Sequence, residues 1–211
     1  MIAVLDYGIG NLRSAEKALL KVGADARLVT DPDEAALADA IVLPGVGSFG
    51  ACVSALRNSG MHHVLYDAIA QSKPLLGICV GFQMLFSESE ESPGVAGLGI
   101  MDGAVLQMPT KEKLPQMQWN RLNVLHPDTS LMFRNLKSEE LWFYFVHSYA
   151  AYPIGGLENP TVAAYCDYGG DVVAAIESGC LWATQFHPEK SGTSGLALLS
   201  RFVAFCEGVR Q

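Results

Sequence analysis

Four short strand-like runs, Ile2 to Asp6, Arg27 to Thr30, Ala40 to Leu43 and Pro74 to Ile78, alternate with stretches of helical spacing, and this alternation constrains the fold most. The first intervening stretch, Asn11 to Val22, sets Leu12, Ala15, Leu19 and Val22 on one face and stops at Gly23; Ser48 to Asn58 and Met61 to Gln71 are further helices. Near-continuous apolar runs are strands buried on both faces, and parallel strands need crossover helices to cover those faces. The pattern predicts an α/β fold with a doubly wound, largely parallel sheet and helices on both sides. Beyond the acidic stretch Ser87 to Pro93 the chain turns β-rich, with strands expected at Ala104 to Met108, Leu122 to Leu125, Leu141 to Val146, Thr161 to Cys166, Val172 to Glu177 and Leu181 to Phe186. This makes the sheet mixed. A closing helix is expected over Gly195 to Glu207, with Leu196, Leu199, Phe202, Val203 and Cys206 on one face. No repeat or long linker interrupts the 211 residues, so residues 1–211 are read as one domain with one core.

In open α/β sheets the site lies beyond the carboxyl ends of the strands. The fourth strand runs into Gly77-Ile78-Cys79-Val80-Gly81, which places a thiol at a sharp strand-to-helix turn, the sulfur version of a nucleophile elbow. Gly77 and Gly81 are expected there because a Cβ would meet neighbouring backbone. The start of the following helix and a nearby imidazolium would both favour thiolate. More than a hundred residues on, His187-Pro188-Glu189 supplies an imidazole and a carboxylate. Pro188 biases His187 towards extended geometry, in which residues two apart face the same way, so Glu189 can orient the ring while its other nitrogen faces the sulfur. Cys79, His187 and Glu189 are the expected nucleophile, base and orienter. The third strand leads into Pro44-Gly45-Val46-Gly47 on the same rim, where the N–H of Gly47 and that of Val80 could serve a developing oxyanion.

Other sequence features exclude several classes of function. A net charge of −8 disfavours nucleic acid and anionic membranes as partners, and no run reaches the length of about 18 apolar residues that a membrane span needs. Five widely spaced cysteines form neither a zinc-type pair nor a disulfide framework, so the expectation is a cytoplasmic protein without metal. Gly8-Ile9-Gly10 lacks the third glycine of a dinucleotide fingerprint, and no cofactor is expected. His62, His63 and His126 read as surface residues. His147 has no carboxylate two positions on and ranks behind His187 as the base.

Taken together, G-x-C-x-G-x-Q and a distant H-P-E resemble the triad-type (class I) glutamine amidotransferases, nearly end to end. Asp6 to Leu12, Pro44 to Phe49, Tyr144 to Tyr149 and His187 to Gly192 are similar, within that group, to the glutaminase subunits of imidazole glycerol phosphate synthases. The resemblance implies that Cys79 attacks the amide of glutamine to form a thioester and that ammonia passes to a (β/α)8 cyclase subunit in a heterodimer serving histidine biosynthesis. It implies substrate contacts at Gln83, Glu91, Ser148, Tyr149 and Gly47, and a partner surface including Trp119, Asn120 and Lys190. By composition alone Glu91 belongs to a solvated acidic loop. Gln118 stands where the family usually has glycine, and Val80 and Phe82 replace its usual leucine and methionine. Two other readings stay open: a glutaminase for anthranilate, guanylate or pyridoxal phosphate synthesis, and a non-catalytic redox-sensing module on the same fold.

Overall fold

The computed structural model describes residues 1–134 and 136–209. In chain order the elements begin β1 (Ile2–Leu5), α1 (Leu12–Lys21), β2 (Ala26–Val29), α2 (Pro32–Ala36) and β3 (Ala40–Gly45). Next come α3 (Phe49–Asn58), α4 (Met61–Ala70), β4 (Leu75–Cys79), α5 (Val80–Gln83), β5 (Gly103–Gln107), β6 (Gln116–Arg121) and β7 (Asn123–Val124). The chain finishes with β8 (Trp142–His147), β9 (Tyr149–Pro153), β10 (Val162–Asp167), β11 (Asp171–Ser178), β12 (Leu181–Thr184) and α6 (Gly192–Val209).

Eight strands form one sheet in the order β2-β1-β3-β4-β12-β11-β10-β7. β2, β1, β3, β4 and β12 run parallel, and β11, β10 and β7 extend the sheet antiparallel. Every residue of β1, β3, β4 and β12 is buried, as strands covered on both faces require. The expected mixed, largely parallel architecture is therefore the one observed. α1 buries Leu12, Ala15, Ala18 and Leu19, close to the expected stripe.

Two short ribbons, β5 with β9 and β6 with β8, stand outside the main sheet. β6 and β9 were not expected: β6 reads Gln-Met-Gln-Trp-Asn-Arg, polar and mostly exposed, and β9 follows β8 after only Ser148. α2 is likewise an addition, capped by Asp31, whose side chain accepts from the Asp33 N–H, with Pro32 in the first turn. α6 starts three residues earlier than expected. Its buried face is Gly195, Leu198, Leu199, Phe202 and Cys206, with Leu196 and Val203 half-buried on its flanks. Gly195 accounts for that rotation, because a Cβ there would sit 1.8 Å from the Pro188 carbonyl oxygen.

Candidate active site

β4 and β12 are neighbours in register, Leu75 opposite Leu181 and Ile78 opposite Thr184, so the segments that follow them emerge side by side at the carboxyl edge. Cys79 ends β4 with φ +56° and ψ −111°, a conformation that costs a non-glycine residue about 1–3 kcal/mol. That backbone is held by close approach on both sides. A Cβ at Gly81 would lie 1.9 Å from the Leu43 oxygen of β3, and one at Gly45 would lie 2.5 Å from the Gly81 nitrogen. Gly77 is tight too, at 3.2 Å from Phe82 backbone. The expected helix after the thiol is the single turn α5, so few aligned peptides contribute a dipole and the electrostatics fall to the imidazole.

His187 is 1 % exposed, and its Nδ1 lies 2.8 Å from Glu189 Oε1, whose side chain is 3 % exposed. His187 itself is extended, but Pro188–Lys190 is a turn of 3-10 helix. The carboxylate therefore reaches the ring by the curl of that turn, where an extended segment was expected. The turn is fastened to β8: the His187 N–H donates to the Tyr144 carbonyl at 3.0 Å, and Ser191 Oγ accepts from the Tyr144 N–H at 2.9 Å while donating to the His187 carbonyl at 2.6 Å. Burial pulls the His187 pKa down, but hydrogen bonds to the Cys79 thiol and to Glu189 outweigh it and raise it to about 9. At neutral pH the ring is an imidazolium between sulfur and carboxylate.

Cys79 and His187 line a cavity of about 240 Å³, with Glu189 behind the ring and outside its lining. Ligand sites for drug-sized molecules run to about 300–1,000 Å³, so this one suits a small metabolite. Of the sequence-predicted residues, Cys79, His187, Val80, Gly47, Gln83, Glu91, Ser148, Tyr149 and Lys190 all face it. Glu91 is not a solvated loop residue: its Oε2 accepts from the Phe49 N–H at 2.7 Å, at the start of α3. Gln83 gives its Nε2 to the Tyr149 carbonyl at 2.8 Å and to Gln185 Oε1 at 3.1 Å, leaving its own Oε1 as the remaining polar atom.

The loop carrying Gly47 is fixed from below. Tyr7 donates its hydroxyl to the Pro44 carbonyl at 2.5 Å, and Cys52 Sγ donates to the Val46 carbonyl at 3.2 Å. Burial raises both groups' pKa values, that of Cys52 to about 11, so both keep their protons. Across a trans peptide the Gly47 N–H points opposite the Val46 carbonyl, away from Cys52.

Sequence reasoning missed Gln185, which is fully buried and points Nε2 at Cys79 Sγ from 3.8 Å. Its signal was present: a polar residue inside the apolar run Leu181 to Phe186, two positions before His187. His147, ranked behind His187, shares the same cavity. Trp119 and Asn120 do not enter it. Trp119 is 48 % exposed, edge-on to Tyr144, and Asn120 ties its amide to the Asp167 carbonyl at 2.8 Å. Cross-strand pairs Met117 with Val146, Trp119 with Tyr144 and Arg121 with Trp142 give the β6–β8 ribbon one largely apolar outer face, on which Met117, Trp119 and Trp142 are exposed. Among the described residues no cluster of three or more His, Cys, Asp or Glu could hold a metal ion, and no helix is long and apolar enough to cross a membrane.

The family model for class-I glutamine amidotransferase matches residues 3–205. A HisH subunit of imidazole glycerol phosphate synthase from Methanothermobacter thermautotrophicus is 49 % identical over 203 residues, covering 96 % of this chain and 98 % of that protein. The HisH subunit of Bacillus subtilis is 40 % identical over 208 residues, covering 96 % and 95 %. Among solved structures, the PurLQS structure from Thermotoga maritima superposes with a TM-score of 0.74 at 21 % identity, covering 97 % of each chain, which is a likeness of fold.

Proposed function

Because the chain belongs to the class-I glutamine amidotransferases and, among them, to the HisH glutaminase subunits of imidazole glycerol phosphate synthase in histidine biosynthesis, we propose the following division of labour among its residues. Cys79 Sγ attacks the side-chain carbonyl carbon of glutamine, and the N–H groups of Gly47 and Val80 receive the oxyanion. The His187 imidazolium passes its proton to the amide nitrogen, the C–N bond breaks, and ammonia leaves a γ-glutamyl thioester on Cys79. The now neutral imidazole takes a proton from water, which attacks the thioester, and glutamate departs as the thiol group is restored. Glu189 holds the ring tautomer. Gln83, Glu91, Ser148 and Tyr149 hold the amino acid, with the carbonyl of Gln83 and the free oxygen of Glu91 suited to an α-ammonium.

The reading is carried by one observation: the thiol and the imidazole share the cavity wall, and the buried Glu189 carboxylate is hydrogen-bonded to the ring behind it. The whole chain acts as a single glutaminase domain in the cytoplasm. Its partner is a (β/α)8 cyclase, docked over the Trp119 face with Lys190 at the cavity mouth and Asn120 bracing the ribbon. A closed interface is chemically necessary, because ammonia released into neutral water becomes mostly ammonium and is no longer a nucleophile. The test is glutamate release from glutamine with and without the cyclase and its ribonucleotide substrate. Release should depend on the partner and vanish in a Cys79→Ser variant; equal release by that variant refutes the assignment.

A further inference from the structure

His147 is a second imidazole in the active-site cavity, 7 % exposed and close enough to His187 to feel its charge. Its Nδ1 lies 2.9 Å from the Tyr149 carbonyl oxygen. A carbonyl only accepts, so Nδ1 carries the ring proton and Nε2 is a bare lone pair. That Nε2 is buried and has no partner in the protein. An unpaired buried acceptor is costly to keep, and one on a residue of the substrate-cavity wall calls for a donor from the ligand.

We propose that His147 Nε2 accepts a hydrogen bond from the side-chain amide N–H of bound glutamine, and then from the ammonia that leaves. This deepens the glutaminase reading and rests on it. Glutamine's amide is the one N–H group of the substrate that must lie between Cys79 and His187. Its nitrogen needs its developing lone pair turned to the His187 proton, and an acceptor for one of its N–H bonds sets that rotation. The two rings thus divide the work: His187 donates and His147 accepts. Burial lowers the His147 pKa to about 4, so the ring stays neutral and has no proton with which to trap ammonia as ammonium. The same lone pair opposes the carboxylate oxygen of glutamate, favouring substrate over product.

His147→Asn tests this, because the asparagine amide can still donate to the Tyr149 carbonyl but places nothing at the Nε2 position. The variant, in complex with the cyclase, is assayed on glutamine and on glutamate γ-methyl ester, which has the same acyl group and no amide N–H. Rates are normalised to sites titrated by a thiol-directed glutamine chloroketone, so misfolded protein does not count. The expected result is a loss of kcat/KM on glutamine of about 10- to 100-fold, with ester hydrolysis within about threefold of wild type. An equal loss on both substrates, or none on glutamine, overturns the proposal. Wild type no faster than Cys79→Ser on either substrate would instead overturn the glutaminase reading. Should His147→Asn not fold, nitrogen NMR of labelled histidine in Cys79→Ala gives a second measurement. The Nε2 resonance should move on adding glutamine and stay in place with the ester; the same response to both refutes it.

Discussion

Replacing Gly81 by alanine adds one methyl group at the tightest point behind the nucleophile. Its carbon would begin 1.9 Å from the Leu43 oxygen and 2.9 Å from the Leu43 carbonyl carbon. An unstrained contact of this kind needs more than 3 Å, so the elbow and β3 must part by over 1 Å. β3 has nowhere to go: it pairs with β1 on one side and β4 on the other, and all its residues are buried. α5 cannot easily retreat, because all of its residues, Val80 to Gln83, are themselves buried. Overpacking of this kind typically costs about 1–3 kcal/mol, and with both contacts on backbone we expect about 2–4 kcal/mol. For a chain of this size that lowers Tm by roughly 5–15 °C. A displacement of about 1 Å at the sulfur also lowers glutaminase activity by about 100-fold. Urea unfolding and the rate of Cys79 alkylation by the chloroketone report the two effects separately. Gly208→Ala is the control, since nothing lies within 4 Å of a Cβ there and alanine favours the helix by about 0.5–1 kcal/mol. If Gly81→Ala were as stable as wild type to within about 0.5 kcal/mol and alkylated at the same rate, the packing account of the elbow would be wrong.

Two further outcomes follow from the same geometry. The His187 pKa is raised above its unfolded value of about 6.5, so the stability it confers is fully present below pH 6.5 and is lost as pH rises through about 9. Glu189→Gln keeps an acceptor for Nδ1 but removes the charge, so urea unfolding between pH 6 and 10 should show a fall in stability smaller than wild type by about 1 kcal/mol or more; an unchanged pH slope would contradict the pairing. Trp119→Ala should leave folding intact, because the side chain is half exposed, yet weaken cyclase binding by about 10- to 100-fold in calorimetric titration. Unaltered affinity would move the docking surface elsewhere.

The features legible in the sequence are those whose physics is local. Cys79 between Gly77 and Gly81, and the fully buried strands β1, β3 and β4, each announce themselves within a few residues, because burial on two faces and a glycine-flanked turn leave compositional marks. Pairings made across the fold left none. Nothing in Leu181 to Thr184 says that β12 slots beside β4, and that adjacency brings His187 to Cys79. Gln185 looked like an ordinary strand residue because its importance lies in a contact to a sulfur more than a hundred positions away. Glu189 meets the His187 ring through a 3-10 turn and not through the extended geometry expected, since both arrangements bring residues two apart within reach of one ring. β6 escaped notice because its alternation is carried by only two apolar residues, Met117 and Trp119, among polar neighbours, too short a pattern to mark a strand.

The place of β12 in the sheet bears on how the protein is made. It is the last strand to leave the ribosome, yet it occupies the middle of the sheet between β4 and β11. At ordinary rates of translation, roughly 5 to 20 seconds separate the synthesis of Cys79 from that of His187. Throughout that interval β4 is an open edge, and the thiol lacks both Gln185 and its base. On the roles proposed above, a nascent or truncated chain that ends before His187 is expected to be inert towards glutamine. The same interval leaves the apolar edge of β4 open to pairing with other chains until β12 is made.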